Sequence, residues 1–193
     1  MNLSPRDIVL EIIAEEGGSI QGKTLIQKKA YFVGVKLEWD LGHQPHFYGP
    51  YSPAIESALG DLRGLGFVEE YLLGFGDIRD SGFEAKRYDY VLTEDGQKAV
   101  KRLKDRNSED YLKVKSTLDR IRNASKPDYL TLSVAAKVMY ILKNKRKPLD
   151  KNAISSEAKE LDWAFPKDKD IFKEATDFLI TMGLVACGEG KAE

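Results

Sequence analysis

Apolar residues recur at helical spacing near the start of the chain, where Ile8, Val9, Ile12 and Ile13 form a stripe. Ser4 and Pro5 precede it as N-cap and first helical residue, and Asp7 adds a carboxylate at the positive helix end. Gly17 and Gly18 close that helix. A second helical pattern covers residues 23–40, with Ile26, Ala30, Val33 and Leu37 as its buried stripe and Gln27, Lys28 and Tyr31 lying away from it. After a polar and aromatic connection, Ser52-Pro53 repeats the cap-and-proline start, and Glu56 completes a capping box. Ile55, Leu59 and Leu62 give this third helix its apolar side, and it ends near Gly64 or Gly66. Residues 67–75 and 83–92 then read as strands, the second with Tyr88, Tyr90 and Leu92 on one face at period two. Between them residues 76–82 are rich in turn formers, so the pair is a β-hairpin. Thr93 caps the next helix.

Helix, helix, helix, hairpin, helix is the winged-helix order. The rest of the chain reads as helical, over residues 111–121, 130–142, 154–165 and 171–182. The stretch 130–142 is the most apolar and suits a core or a dimer contact. Residues 178–185 echo residues 58–68, an apolar helix end followed by Gly and an apolar strand entry, as a degenerate second winged helix would. The expected fold class is α+β, mostly α: a winged-helix-like domain over residues 1–106 with one β-hairpin, followed by a helical region over residues 107–193.

Composition fits this picture. The chain has 193 residues, of which 42% are hydrophobic, enough to bury a core. No apolar run approaches the length of a membrane span and no signal-type segment opens the chain, so the expectation is a cytoplasmic protein with no membrane partner. Cys187 has no second cysteine to pair with. The net charge of −1 hides an asymmetry: residues 1–105 carry 13 basic and 17 acidic side chains, and residues 106–193 carry 17 and 14. The densest basic run spans residues 98–126. Lys98, Lys101, Arg102 and Lys104 are its candidates for phosphate contact, and a solvated helix face is the plain alternative.

Two motifs invite chemistry and are set aside. Residues 17–24, GGSIQGKT, match the phosphate-loop pattern, but such a loop needs a buried strand before it, and helical periodicity precedes this one. Asp40, His43 and His46 are spaced by threes, but Gly42 and Pro45 break the helix that would align them as metal ligands. No catalytic residue, metal or cofactor is nominated, and no reaction is expected.

Three segments together resemble a known family: residues 25–31, LIQKKAY; residues 47–52, FYGPYS; and the Leu-Gly-Phe-Val exit of the third helix. They are similar to the YwgA-like proteins, which are in turn similar to the Panacea-type antitoxin domain, over about residues 5–105. The resemblance implies a winged-helix-like fold and a role in toxin–antitoxin or phage-defence systems. Its motifs nominate Gln27, Lys28 and Tyr31 on one helix, and Tyr48, Gly49, Pro50, Tyr51 and Ser52 in the aromatic turn; His46, next to that turn, joins them as a candidate binding residue.

Two functional readings follow. One is a protein-interaction module whose aromatic turn anchors another protein or a second copy of the chain, making a homo-oligomer. The other is a DNA-binding transcriptional regulator. Residues 52–64 carry Glu56 and Asp61 against Arg63 alone, and the wing pairs Arg79, Lys86 and Arg87 with Asp77, Asp80 and Glu84, a poor surface for phosphate. The rings of Phe47, Tyr48 and Tyr51 either face a partner or plug the domain's own core.

Overall fold

The computed structural model describes residues 3–74, 87–106, 108–124, 128–145, 149–165 and 169–186. The predicted hairpin turn at 76–82, the wing charges at Arg79, Lys86, Asp77, Asp80 and Glu84, and Cys187 lie outside the described residues. The fold is α+β and mostly α. Its elements run α1 (Pro5–Glu15), β1 (Ser19–Gln21), α2 (Lys23–Leu37), α3 (Pro53–Gly64), β2 (Val68–Gly74), β3 (Arg87–Leu92), α4 (Glu94–Arg106), α5 (Glu109–Asn123), α6 (Tyr129–Lys145), α7 (Lys151–Glu160) and α8 (Lys169–Thr181).

The chain divides into two compact units. One comprises Met1–Gln44 and Tyr51–Asp119, the other Pro45–Pro50 and Arg120–Glu193. In the first unit α1 packs against α2, α3 and α4. Its start is a full capping box: Ser4 Oγ accepts from the Asp7 N–H at 3.3 Å, and the Asp7 carboxylate accepts from the Ser4 N–H at 2.8 Å. The sheet order is β1-β3-β2, antiparallel throughout, with Ile20 and Glu70 both opposite Tyr90. β1 was not anticipated, because three residues are too few to show an alternating pattern. It lies inside the phosphate-loop match and follows a helix, the reverse of the strand-then-loop order a nucleotide cradle requires.

α2 stops at Leu37, earlier than residues 23–40 implied, with Glu38 left-handed at φ 57°. It is also buried on nearly every side. Gln27, Lys28 and Tyr31 lie away from the apolar stripe in sequence, yet they are 3%, 1% and 4% exposed. The reason is packing on several sides at once: α1, α3 and β1 all touch this helix. Lys29, also buried, reaches out to Glu16 at 2.6 Å.

α4 begins on Thr93, whose hydroxyl accepts from the Gly96 N–H at 3.0 Å and donates to the Gly66 carbonyl at 2.7 Å. The helix start is pressed so closely on the entry to β2 that a Cβ at Gly96 would overlap the Phe67 carbonyl oxygen.

Among the described residues the regular elements of the second unit are all helices. α6 packs on α7 and α8, burying residues 131–136 together with Val138 and Ile141. Its apolar face is thus occupied within its own unit. The strand entry read into residues 178–185 is turn and bend after α8. Among the described residues no helix is long and apolar enough to cross a membrane.

Candidate functional site

The nominated residues fall in two places. Gln27, Lys28, Tyr31, Tyr51 and Ser52 belong to the first unit, and His46, Tyr48, Gly49 and Pro50 to the second.

In the first unit α2 presents the Gln27 amide to the backbone of Ser52. The amide Nε2 donates to the Ser52 carbonyl at 3.0 Å, and Oε1 accepts from the Ser52 N–H at 2.8 Å. The side chain thus pairs with Ser52 as a neighbouring strand would. Ser52, wholly buried, uses its hydroxyl twice: it donates to the Leu41 carbonyl at 2.5 Å and accepts from the Ile55 N–H at 3.2 Å, capping α3. The connection is closed beside this clamp by a bridge, with the Gln44 N–H donating to the Tyr51 carbonyl at 2.9 Å and the Tyr51 N–H to the Gln44 carbonyl at 3.0 Å. The Tyr31 ring meets His43 edge-on, centroids 5.1 Å apart. Gln27 and Ser52 therefore fix the start of α3, and every polar atom they commit is turned inward.

Tyr51 stands beside Glu56 and Lys23, which pair at 3.1 Å. Burial pushes its phenol up, the Glu56 carboxylate adds to this and Lys23 opposes it. Nearby, burial and the Glu70 carboxylate hold the Tyr90 phenol well above its ordinary value, and Arg63 ties Glu70 at 2.8 Å. Apart from Tyr51, this polar rim of α3 was not nominated from sequence. Lys23 and Glu56 lie 33 positions apart, and no local pattern pairs them.

In the second unit the turn is held by its backbone. The His46 carbonyl accepts from the Trp163 indole N–H at 2.6 Å and from the Gly49 N–H at 2.8 Å. Gly49, at φ 100°, makes a turn that a side chain would strain. Trp163 is itself packed edge-on against Tyr140, centroids 5.5 Å apart. On this support Phe47 is 63% exposed, its ring perpendicular to Tyr48 at 5.0 Å. Tyr48 is half-buried.

The basic candidates on α4 are all exposed. Lys98 pairs with Asp95 at 2.8 Å and holds that carboxyl below its ordinary range. Among the described residues no three His, Cys, Asp or Glu side chains form a metal-holding group, so Asp40, His43 and His46 are not assembled into one.

A further polar pair joins residues 100 positions apart. The Tyr111 hydroxyl donates to Glu11 Oε1 at 3.1 Å. Glu11 is 1% exposed, and its second carboxylate oxygen is buried without a hydrogen bond. Burial raises its pKa first, with Glu15 adding to the rise and Tyr111, Lys104 and Lys115 opposing it. In sequence the only signal of this pair is a charged residue inside an apolar helical stretch. The chain matches no protein-family model, and a comparison with curated proteins finds no match.

Proposed function

We propose that this chain is a protein-interaction module on a winged-helix-like scaffold, of the toxin–antitoxin or phage-defence type that its resemblance to the YwgA-like proteins implies. The observation that carries the reading is Phe47. A large ring 63% exposed, on a turn pinned through the His46 carbonyl, is a rigid apolar anchor. Such anchors supply much of the binding energy at protein interfaces and lose little entropy on docking. The competing reading, a DNA-binding regulator, draws on the exposed Lys98, Lys101, Arg102 and Lys104. Against it, the open face of α3 carries Pro53, Ala54, Ser57, Gly60, Asp61 and Arg63, a surface with no surplus of positive charge.

The test places a photo-crosslinking phenylalanine at position 47 in cells and, as control, at the exposed Leu112. A defined protein adduct at 47, missing at 112 and reduced by competing wild-type chain but not by Phe47→Ser, is the expected result. Random duplex DNA is expected to bind more weakly than about 1 μM at physiological salt. Tighter, salt-sensitive binding to DNA with no adduct at 47 would favour the regulator.

A further inference from the structure

A second surface lies wholly within the first unit and does not depend on the Phe47 reading. A groove of about 320 Å³ opens between the start of α1, the end of α3 and the outer face of α4. Its floor is apolar, formed by Leu10, Leu62, Leu65 and Phe67, and Leu65 remains 57% exposed. Three guanidiniums line it: Arg6 from α1, and Arg102 with Arg106 from α4. The two on α4 are four residues apart and so share one helix face.

Among the described residues the only carboxylate in the lining is Asp7, which accepts from both the Ser4 N–H and the Ser4 hydroxyl at 2.8 Å in the helix cap. Asp61 reaches Arg6 only at 4.0 Å, with both side chains more than half exposed, a pair worth little in water. The groove therefore keeps a positive rim beside an apolar floor whose Leu65 is exposed and Phe67 half-buried, while Leu10 and Leu62 beneath are buried.

We infer that this groove binds a short acidic segment of another protein that carries a large apolar side chain. Charge complementarity and the floor select this occupant together. Guanidiniums hold carboxylates through paired hydrogen bonds in a fixed plane. A free phosphate or acetate would satisfy the rim but leave Leu65 and Phe67 in water. A nucleic-acid backbone would likewise meet the arginines without covering the leucines, because its affinity rests on phosphate contacts. An acidic peptide with an apolar anchor covers both.

The full chain is titrated into a fluorescein-labelled peptide of aspartate and glutamate around a Leu-Phe pair, read by anisotropy. The comparators are the same peptide with Ser-Ser at its centre, and labelled single- and double-stranded DNA. Saturable binding is expected for the Leu-Phe peptide, with at least about tenfold loss for the Ser-Ser peptide and for Arg102→Glu/Arg106→Glu, as expected when a central anchor or its paired charges are removed. Leu65→Ser is expected to weaken binding in the same direction. Lys98→Glu/Lys101→Glu changes the net charge equally on the same helix but at residues outside the groove lining, and is expected to weaken binding clearly less than the arginine pair, because it leaves the guanidinium hydrogen bonds to the peptide carboxylates in place. Circular dichroism and thermal melting confirm that each variant is folded; if Leu65→Ser melts early, the exposed arginine pair decides. The inference is overturned if the Ser-Ser peptide binds as well, if the two charge-reversal variants lose affinity alike, if the arginine pair has no effect, or if DNA binds more tightly than the peptide.

Discussion

Replacing Gln27 by leucine keeps the volume inside α2 but strips the Ser52 N–H and carbonyl of their partners at 2.8 and 3.0 Å. A buried polar group left unmatched costs about 1–3 kcal/mol, so this variant is expected to lose about 2–4 kcal/mol in urea unfolding, well above an exposed substitution such as Lys101→Ala. The cost should appear as a lower denaturation midpoint with an unchanged slope. Gln27→Glu separates geometry from chemistry: it can still accept from the Ser52 N–H but has no donor for the carbonyl. The sequence named Gln27 through a family likeness and Ser52 also as a helix cap, but it could not pair the two. Their partner atoms are backbone, and backbone atoms carry no letter in a sequence.

Helix starts were legible because each is a local event. Ser4, Ser52 and Thr93 all cap the helices assigned to them, with the hydroxyl within 3.3 Å of a first-turn N–H, but Glu56 lies one position too far from Ser52 to complete the expected capping box and pairs with Lys23 instead. The burial of α2 was not, because α1, β1 and α3 touch it together, and the period of one helix does not show how many neighbours it has. Lys29 shows the reason: one charge can be buried when its long side chain delivers the ammonium to Glu16 at 2.6 Å. At this scale the tightest junction is α4 against the entry to β2. Gly96→Ala is expected to destabilise the first unit by about 3 kcal/mol, at the upper end for overpacking, since the obstruction is the Phe67 backbone and not a movable side chain. Gly60→Ala, where a Cβ meets nothing within 4 Å in a helix interior, is expected to be neutral or stabilising. Thermal melts of the two variants side by side check this.

For the whole chain the sharpest expectation is its response to pH. Burial raises the Glu11 carboxyl above its ordinary value of 4.5. Between that value and the raised one, the folded protein holds a proton that the unfolded chain has released. Stability from this group is therefore full below pH 4.5 and falls as pH rises through the window. Glu11→Gln removes the titration while leaving an oxygen to accept from Tyr111, so the difference in melting temperature between variant and wild type should shift in the variant's favour as pH rises from 4.5 towards neutrality. A difference that does not change with pH would mean that Glu11 does not titrate there. Fold class was readable because periodicity and caps repeat along the chain. The pairings that bind distant parts, Glu11 with Tyr111 and His46 with Trp163, span 100 and 117 positions and leave no periodic trace. That second pairing also bears on how the protein is made. The second unit borrows residues 45–50 from the middle of the first half of the chain, so the ribosome delivers that hexapeptide long before the helices that complete its unit. The hexapeptide must wait, tethered at both ends, and a fragment begun at residue 120 would lack the carbonyl that receives the Trp163 indole.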